Sequence, residues 1–130
     1  MVIDTSALIA ILHREPEAAA FENAITNAPV RLLSAVTKLE AGIVTLGRGR
    51  VGTEMLDLLL ETMAVIVVPF DDHHAEIARA AFARYGKGRH PASLNFGDCA
   101  AYALAIAEAE PLLFKGTDFA ATDVQVAGAG

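Results

Sequence analysis

Tryptophan is absent, cysteine occurs once, and aromatic residues make up only 6% of these 130 residues. A single thiol, Cys99, excludes an internal disulfide and any site built from several thiolates. With so few aromatics, the core must be made of Ala, Leu, Ile and Val. The 54% hydrophobic content is too high for a disordered chain and enough for one domain spanning 1–130. No apolar run reaches the roughly 20 residues of a membrane-crossing helix, and Met1 leads into a strand pattern rather than a basic leader. A cytoplasmic protein without a membrane partner is expected. Repeats, linkers and low-complexity blocks are lacking too, apart from the small-residue tail 126–130, which is expected to fray. An excess of positive charge is also missing. Ten basic residues face 16 acidic ones, a net charge of −6, with no overall basic footprint for nucleic acid.

What is present is a run of short β-type segments alternating with helical ones. The apolar stretches are Val2-Ile3, Val30 to Leu33, Ala64 to Phe70, Leu112 to Phe114 and a weaker Val124 to Val126. "AVIVVPF" is apolar on both faces, as a central parallel strand should be. Between them, "PEAAAFENAITNA" reads as a helix with Pro16 in its first turn and Pro29 at its stop. "SAVTKLEAGIVTLG" starts at a Ser34 cap and ends near Gly47, and "RGR" at 48–50 reads as a joining turn before "EMLDLLLETM". "HHAEIARAAFARYG" closes at Gly86, and "FGDCAAYALAIAEAE" is the last helix. The alternation predicts an α/β protein with a mainly parallel sheet covered on both faces.

The acid at position 4 is the feature to explain. Asp4 follows the first strand, at the carboxyl edge where α/β sheets bind ligands, with Thr5 or Ser6 free to cap a helix from about Ala7. Glu40, Asp98 and Asp118 fall at element ends or on a helix facing the same edge. Each has an ordinary structural reading. Asp4 and Asp118 could be turn residues, while Glu40 after Thr37, and Asp98 after Asn95, have capping-box spacing. Taken together they form a like-charged group that would repel unless a cation neutralised it. Oxygen ligands without His or Cys suit a hard ion, Mg2+ or Mn2+, which binds substrate phosphate and activates water.

Four stretches then carry a resemblance: "VIDTSAL", "LEAGIV", "YGKGRHPASLNFGDCAAYALA" and "PLLFKGTDFAATDV". In this order they resemble the PIN-domain ribonucleases, in particular the VapC toxins of type II toxin–antitoxin pairs. The resemblance implies a three-layer α/β/α sandwich, RNA cleavage dependent on a divalent metal, a homodimer, and a small VapB-type antitoxin that blocks the site. RNA, tRNA or rRNA by family resemblance, is the implied substrate, and DNA is reached only through the antitoxin. It maps the acidic quartet onto Asp4, Glu40, Asp98 and Asp118, with Ser6 supporting through its hydroxyl and Thr117 at an often polar position. Asp4 and Asp98 are expected to hold the main ion. Glu40 and Asp118 would bind through water, hold a second ion or orient the attacking water. Asp123 matches the terminal "TD" of the pattern.

Setting the four acids aside leaves the remaining charge close to balanced. Arg84, Lys87 and Arg89, with His90, fall in one Gly-containing loop before Asp98, a candidate phosphate grip whose alternative is an ordinary solvated loop. "DDHH" at 71–74 reads as a helix cap at Asp71 or Asp72 rather than a metal cluster, and Cys99 as a buried structural thiol. A phosphoacceptor receiver would carry its acidic pair after the first strand, not the third. The remaining alternative is a catalytically weak PIN-like binding module acting in antitoxin and operator-complex assembly.

Overall fold

The computed structural model describes residues 1–128. Four short parallel strands form the sheet: β1 (Val2–Ile3), β2 (Leu32–Ser34), β3 (Ile66–Val68) and β4 (Leu112–Leu113). Their order is β3-β2-β1-β4. Helices α1 (Thr5–Leu12) and α2 (Ala18–Asn27) connect β1 to β2, and α3 (Ala35–Leu46) and α4 (Gly49–Thr62) connect β2 to β3. Helices α5 (Asp72–Tyr85) and α6 (Phe96–Glu108) then carry the chain back across the sheet to β4, followed by a 3-10 turn at Phe119–Ala121.

The period-2 alternation of strand side chains divides the core. Ile3, Leu33 and Leu113 face Leu8, Ile11, Phe21, Ile25, Leu56 and Leu60 of α1, α2 and α4. Val2, Leu32 and Leu112 face the other way, onto Ala81 and Tyr85 of α5 and Tyr102 and Leu104 of α6. The result is the expected three-layer α/β/α sandwich. Leu33 and Leu113 are completely or almost completely buried, so truncating either to Ala would cost about 2–5 kcal/mol. No helix among the described residues is long and apolar enough to cross a membrane.

Several local expectations are corrected. The "AVIVVPF" segment is an edge strand, not a central one, and Ile66 and Val67 are exposed. Helix α1 starts at Thr5, with Asp4 itself as its cap. Pro16 precedes α2, whose first residue is Ala18. Helix α4 begins at Gly49, so most of "RGR" is helical rather than a joining turn. The weak strand at 124–126 is reduced to one bridge between Val126 and Leu112. The tail is not frayed there: Ala127 is buried and donates its N–H to the Leu112 carbonyl at 2.9 Å. Residues 129–130, the rest of that expectation, lie outside the described residues.

Candidate active site

The chain leaves β1 toward β2 and arrives at β4 on β1's other side, so the sheet has its topological switch point between β1 and β4. Ligands of open α/β sheets bind in the crevice outside the strands' carboxyl ends at such a point. Asp4 is the first residue beyond β1 and Lys115 lies just beyond β4. A cleft of about 480 Å³ opens here, lined by Asp4, Ser6, Glu40 and Asp98, with Glu15 and Lys115 also in its wall.

Asp4 has the extended backbone of an N-cap, and its Oδ2 accepts from the Ser6 N–H at 3.0 Å and the Ser6 hydroxyl at 2.7 Å. The Ser6 Oγ accepts in turn from the Lys115 N–H at 2.9 Å, tying the end of β4 to the start of α1. Asp4 Oδ1 is buried and has no hydrogen-bond partner. Burial pushes the Asp4 carboxyl up to about 6; the Ser6 bonds oppose the rise, and the charges of Asp98 and Glu40 add to it.

Glu40 projects from the middle of α3, where the Ser34 cap places it, so the capping-box reading with Thr37 does not hold. Its Oε1 accepts from the Thr5 hydroxyl at 2.5 Å. Asp98 is the third residue of α6 and has the capping-box role its spacing suggests. Its Oδ2 accepts from the Asn95 N–H at 3.0 Å while its own N–H donates to Asn95 Oδ1 at 2.9 Å, a complete capping box. The same carboxylate is half-buried in the cleft wall, and burial, with the charges of Glu40 and Asp118, raises its pKa.

Asp118 and Thr117 stand apart from this trio. Both are exposed and neither lines the cleft, although Asp118 is near enough for its charge to act on Asp98. Arg84 is also diverted: it lies in the last turn of α5 rather than in the loop, with its guanidinium 4.8 Å from the Tyr85 ring centre and 3.8 Å from Asp123. Asp123 accepts from the Tyr102 hydroxyl at 2.5 Å, away from the cleft. Lys87 and Arg89 are exposed on the loop after α5. Asp71 is the α5 cap, accepting from the His74 N–H at 2.9 Å, and Cys99 is a buried thiol.

Two participants leave no local signal in the sequence. Thr5 reads only as a cap, and its contact with Glu40 spans 35 positions that no local pattern reveals. Lys115 reaches across to Glu15 and, at 3.1 Å, to Glu17, and these carboxylates raise its pKa.

Among the described residues, no three His, Cys, Asp or Glu side chains are grouped closely enough to cage a metal. A dedicated cage is not what Mg2+ uses, since it keeps several waters and takes one or two carboxylates. Asp4 Oδ1, buried and unpartnered beside other carboxylates, fits a hard cation by its chemistry.

A parallel three-layer sandwich with a carboxylate cleft at its switch point defines a class, and the family comparison agrees: the chain belongs to the PIN domain family, whose model matches residues 1–125. Within it the chain stands among the VapC ribonucleases. It is 53% identical over 127 residues to Ribonuclease VapC28 of Mycobacterium tuberculosis, covering 96% of each chain. It is 52% identical over 125 residues to Ribonuclease VapC of Mycolicibacterium smegmatis, covering 95% of this chain and 97% of that one. Solved structures share the fold. A toxin–antitoxin complex from Klebsiella pneumoniae matches with a TM-score of 0.69 and 22% identity, over 94% of this chain and 92% of that one. A sarcin–ricin-loop-cleaving VapC toxin of Mycobacterium tuberculosis matches with a TM-score of 0.72 and 17% identity, over 98% of each.

Proposed function

We propose that this protein is the endoribonuclease toxin of a type II toxin–antitoxin pair, acting in the cytoplasm and hydrolysing RNA phosphodiester bonds with Mg2+ or Mn2+ at the Asp4–Glu40–Asp98 cleft. The observation that carries the reading is the buried, unpartnered Oδ1 of Asp4 in a cleft wall shared with the Glu40 and Asp98 carboxylates. Curated relatives more than half identical over nearly the whole chain are ribonucleases by name.

Asp4 and Asp98 would hold the ion, each with one carboxyl oxygen engaged by its own helix start. Bound there, it would supply charge stabilisation at the phosphorus and a polarised water. Ser6 keeps Asp4 in register by bonding Oδ2 twice. Glu40, held by Thr5, orients the attacking water, and Asp118 adds negative charge at the rim. Water oxygen bonds to phosphorus, the P–O3′ bond breaks, and a proton passes to the departing 3′ oxygen. The products carry a 5′-phosphate and a 3′-hydroxyl. Lys87 and Arg89 supply backbone contacts to the RNA, while Arg84 faces Asp123.

The same reading includes a small VapB-type antitoxin, a homodimer, and DNA contact only through the antitoxin. The structure offers a surface for a partner helix: Leu39, Ile43 and Leu46 on α3 are each around 60% exposed.

The test is cleavage of tRNA and rRNA by the purified protein. Mg2+ should support it and chelator should abolish it. Asp98→Asn should lose it with an unchanged circular dichroism spectrum, because the amide is isosteric but a far poorer ligand for a hard cation. Full cleavage by Asp98→Asn overturns the site. A folded wild type that binds its antitoxin and cuts no RNA is the binding module instead.

A further inference from the structure

Glycine 97 is not required by the backbone. Its φ lies outside the positive range occupied by Gly49, Gly88 and Gly116, and it sits in the first turn of α6, where a helix ordinarily favours alanine. What excludes a side chain is Glu40. A Cβ at position 97 would lie 1.9 Å from Glu40 Oε2, 2.5 Å from its Cδ and 2.7 Å from Oε1, and these are the three nearest atoms it would meet. The Oε1 of the same carboxylate takes the Thr5 hydroxyl at 2.5 Å. Thr5 and Gly97 are both buried.

The two flanking residues are the immediate neighbours of the other two acids: Thr5 follows Asp4, and Gly97 precedes Asp98. Glu40 has a long, mobile side chain and two like-charged neighbours, so without restraint it would swing toward water. The hydroxyl from α1 and the bare backbone of α6 hold it in place, and the positive end of the α6 dipole lies on the same side. We infer that Thr5 and Gly97 are positioning residues, a two-sided seat that keeps the Glu40 carboxylate beside Asp4 and Asp98 for work on the metal-bound RNA phosphate. The inference rests on the metal-dependent reading of the cleft.

The chemistry of the clash makes it testable. The far end of a flexible side chain can move aside at little expense to the fold, so Gly97→Ala should fold normally and displace the carboxylate. Five variants decide the matter: Gly97→Ala, Thr5→Val, Thr5→Ser, Glu40→Ala and the Gly97→Ala/Glu40→Ala double. Each is melted in chelator, titrated with Mn2+ by calorimetry and assayed for Mg2+-dependent cleavage of total tRNA and rRNA. Gly97→Ala should melt no lower than wild type yet bind Mn2+ on the order of tenfold more weakly and cleave about a hundredfold more slowly. Thr5→Val should lose about tenfold in cleavage, and Thr5→Ser should restore it. In the Glu40→Ala background, Gly97→Ala should change neither Mn2+ affinity nor rate. The seat is overturned if Gly97→Ala matches wild type in both, or if its deficit persists without Glu40. Should Gly97→Ala fail to fold, the Thr5→Val and Thr5→Ser pair decides, and equal loss in both overturns the seat. A wild type that binds no Mn2+ overturns the metal reading itself and the seat's role with it.

Discussion

Asp4 is a helix cap that carries a stability penalty. The Ser6 bonds stabilise its charge, but burial outweighs them and raises the carboxyl from 3.8 to about 6. The folded protein therefore keeps a proton that the unfolded chain has already lost. The penalty from Asp4 is absent below about pH 4, grows as pH rises toward 6, and is complete above that. At about 1.4 kcal/mol per pH unit, it comes to about 3 kcal/mol. Asp4→Asn keeps a capping oxygen and removes the charge, so in chelator at pH 7.5 it should melt several degrees above wild type. The gap should close near pH 4, and millimolar Mg2+ should narrow or reverse it by binding only the intact site. Melting curves across pH, with and without metal, check each part. Asp98→Asn should gain less, because its carboxylate also supports the α6 start, where negative charge is favoured. If Asp4→Asn melts lower in chelator at neutral pH, Asp4 is a structural cap and no more.

At the level of elements, α6 joins stability to the site through its first turn. Asn95→Ala removes the Oδ1 that accepts the Asp98 N–H and should cost about 1 kcal/mol, while the backbone N–H that holds the Asp98 carboxylate stays, so Mn2+ binding in calorimetry should change little. Asp71→Ala removes the cap of α5, away from the cleft, and should cost a similar amount by chemical denaturation with no change in metal affinity. The same elements show what was legible in advance. Ser34 with Gly47, and Asn95 with Asp98, are local signals, and local hydrogen bonds realise them. The placing of β3 failed because apolarity reports a tendency toward burial without saying what supplies it, and Ile66 remains 59% exposed at the sheet edge. Glu40 could be placed on α3, but its partner Thr5 and its neighbour Gly97 come from other elements. Arg84 reads as a free loop cation, yet it lies in the last turn of α5 and its partner Asp123 lies 39 positions away, beyond any periodicity.

Across the whole molecule, Asp4, Glu40 and Asp98 line the cleft at the switch point between β1 and β4, and an RNA approaching it would meet a net charge of −6. The basic loop after α5 then has a measurable task. Lys87→Ala with Arg89→Ala should weaken RNA binding similarly across sequences and lower the slope of log K against log salt by about 1 per lost phosphate contact, with the metal affinity of the free protein unchanged. Filter binding at several salt concentrations reads the slope. An unchanged slope would place those cations on an ordinary solvated loop.

The lone cysteine turns the fold into its own clock. Cys99 is buried one residue beyond Asp98, and burial, with the charge of Asp98, pushes its thiol up to about 11. At pH 8 roughly one native molecule in a thousand carries the thiolate, against about a quarter of unfolded chains. Iodoacetamide should therefore alkylate the protein only when α6 opens, and no engineered label is needed. The alkylation rate should fall with added Mg2+ in wild type and stay flat in Asp98→Asn.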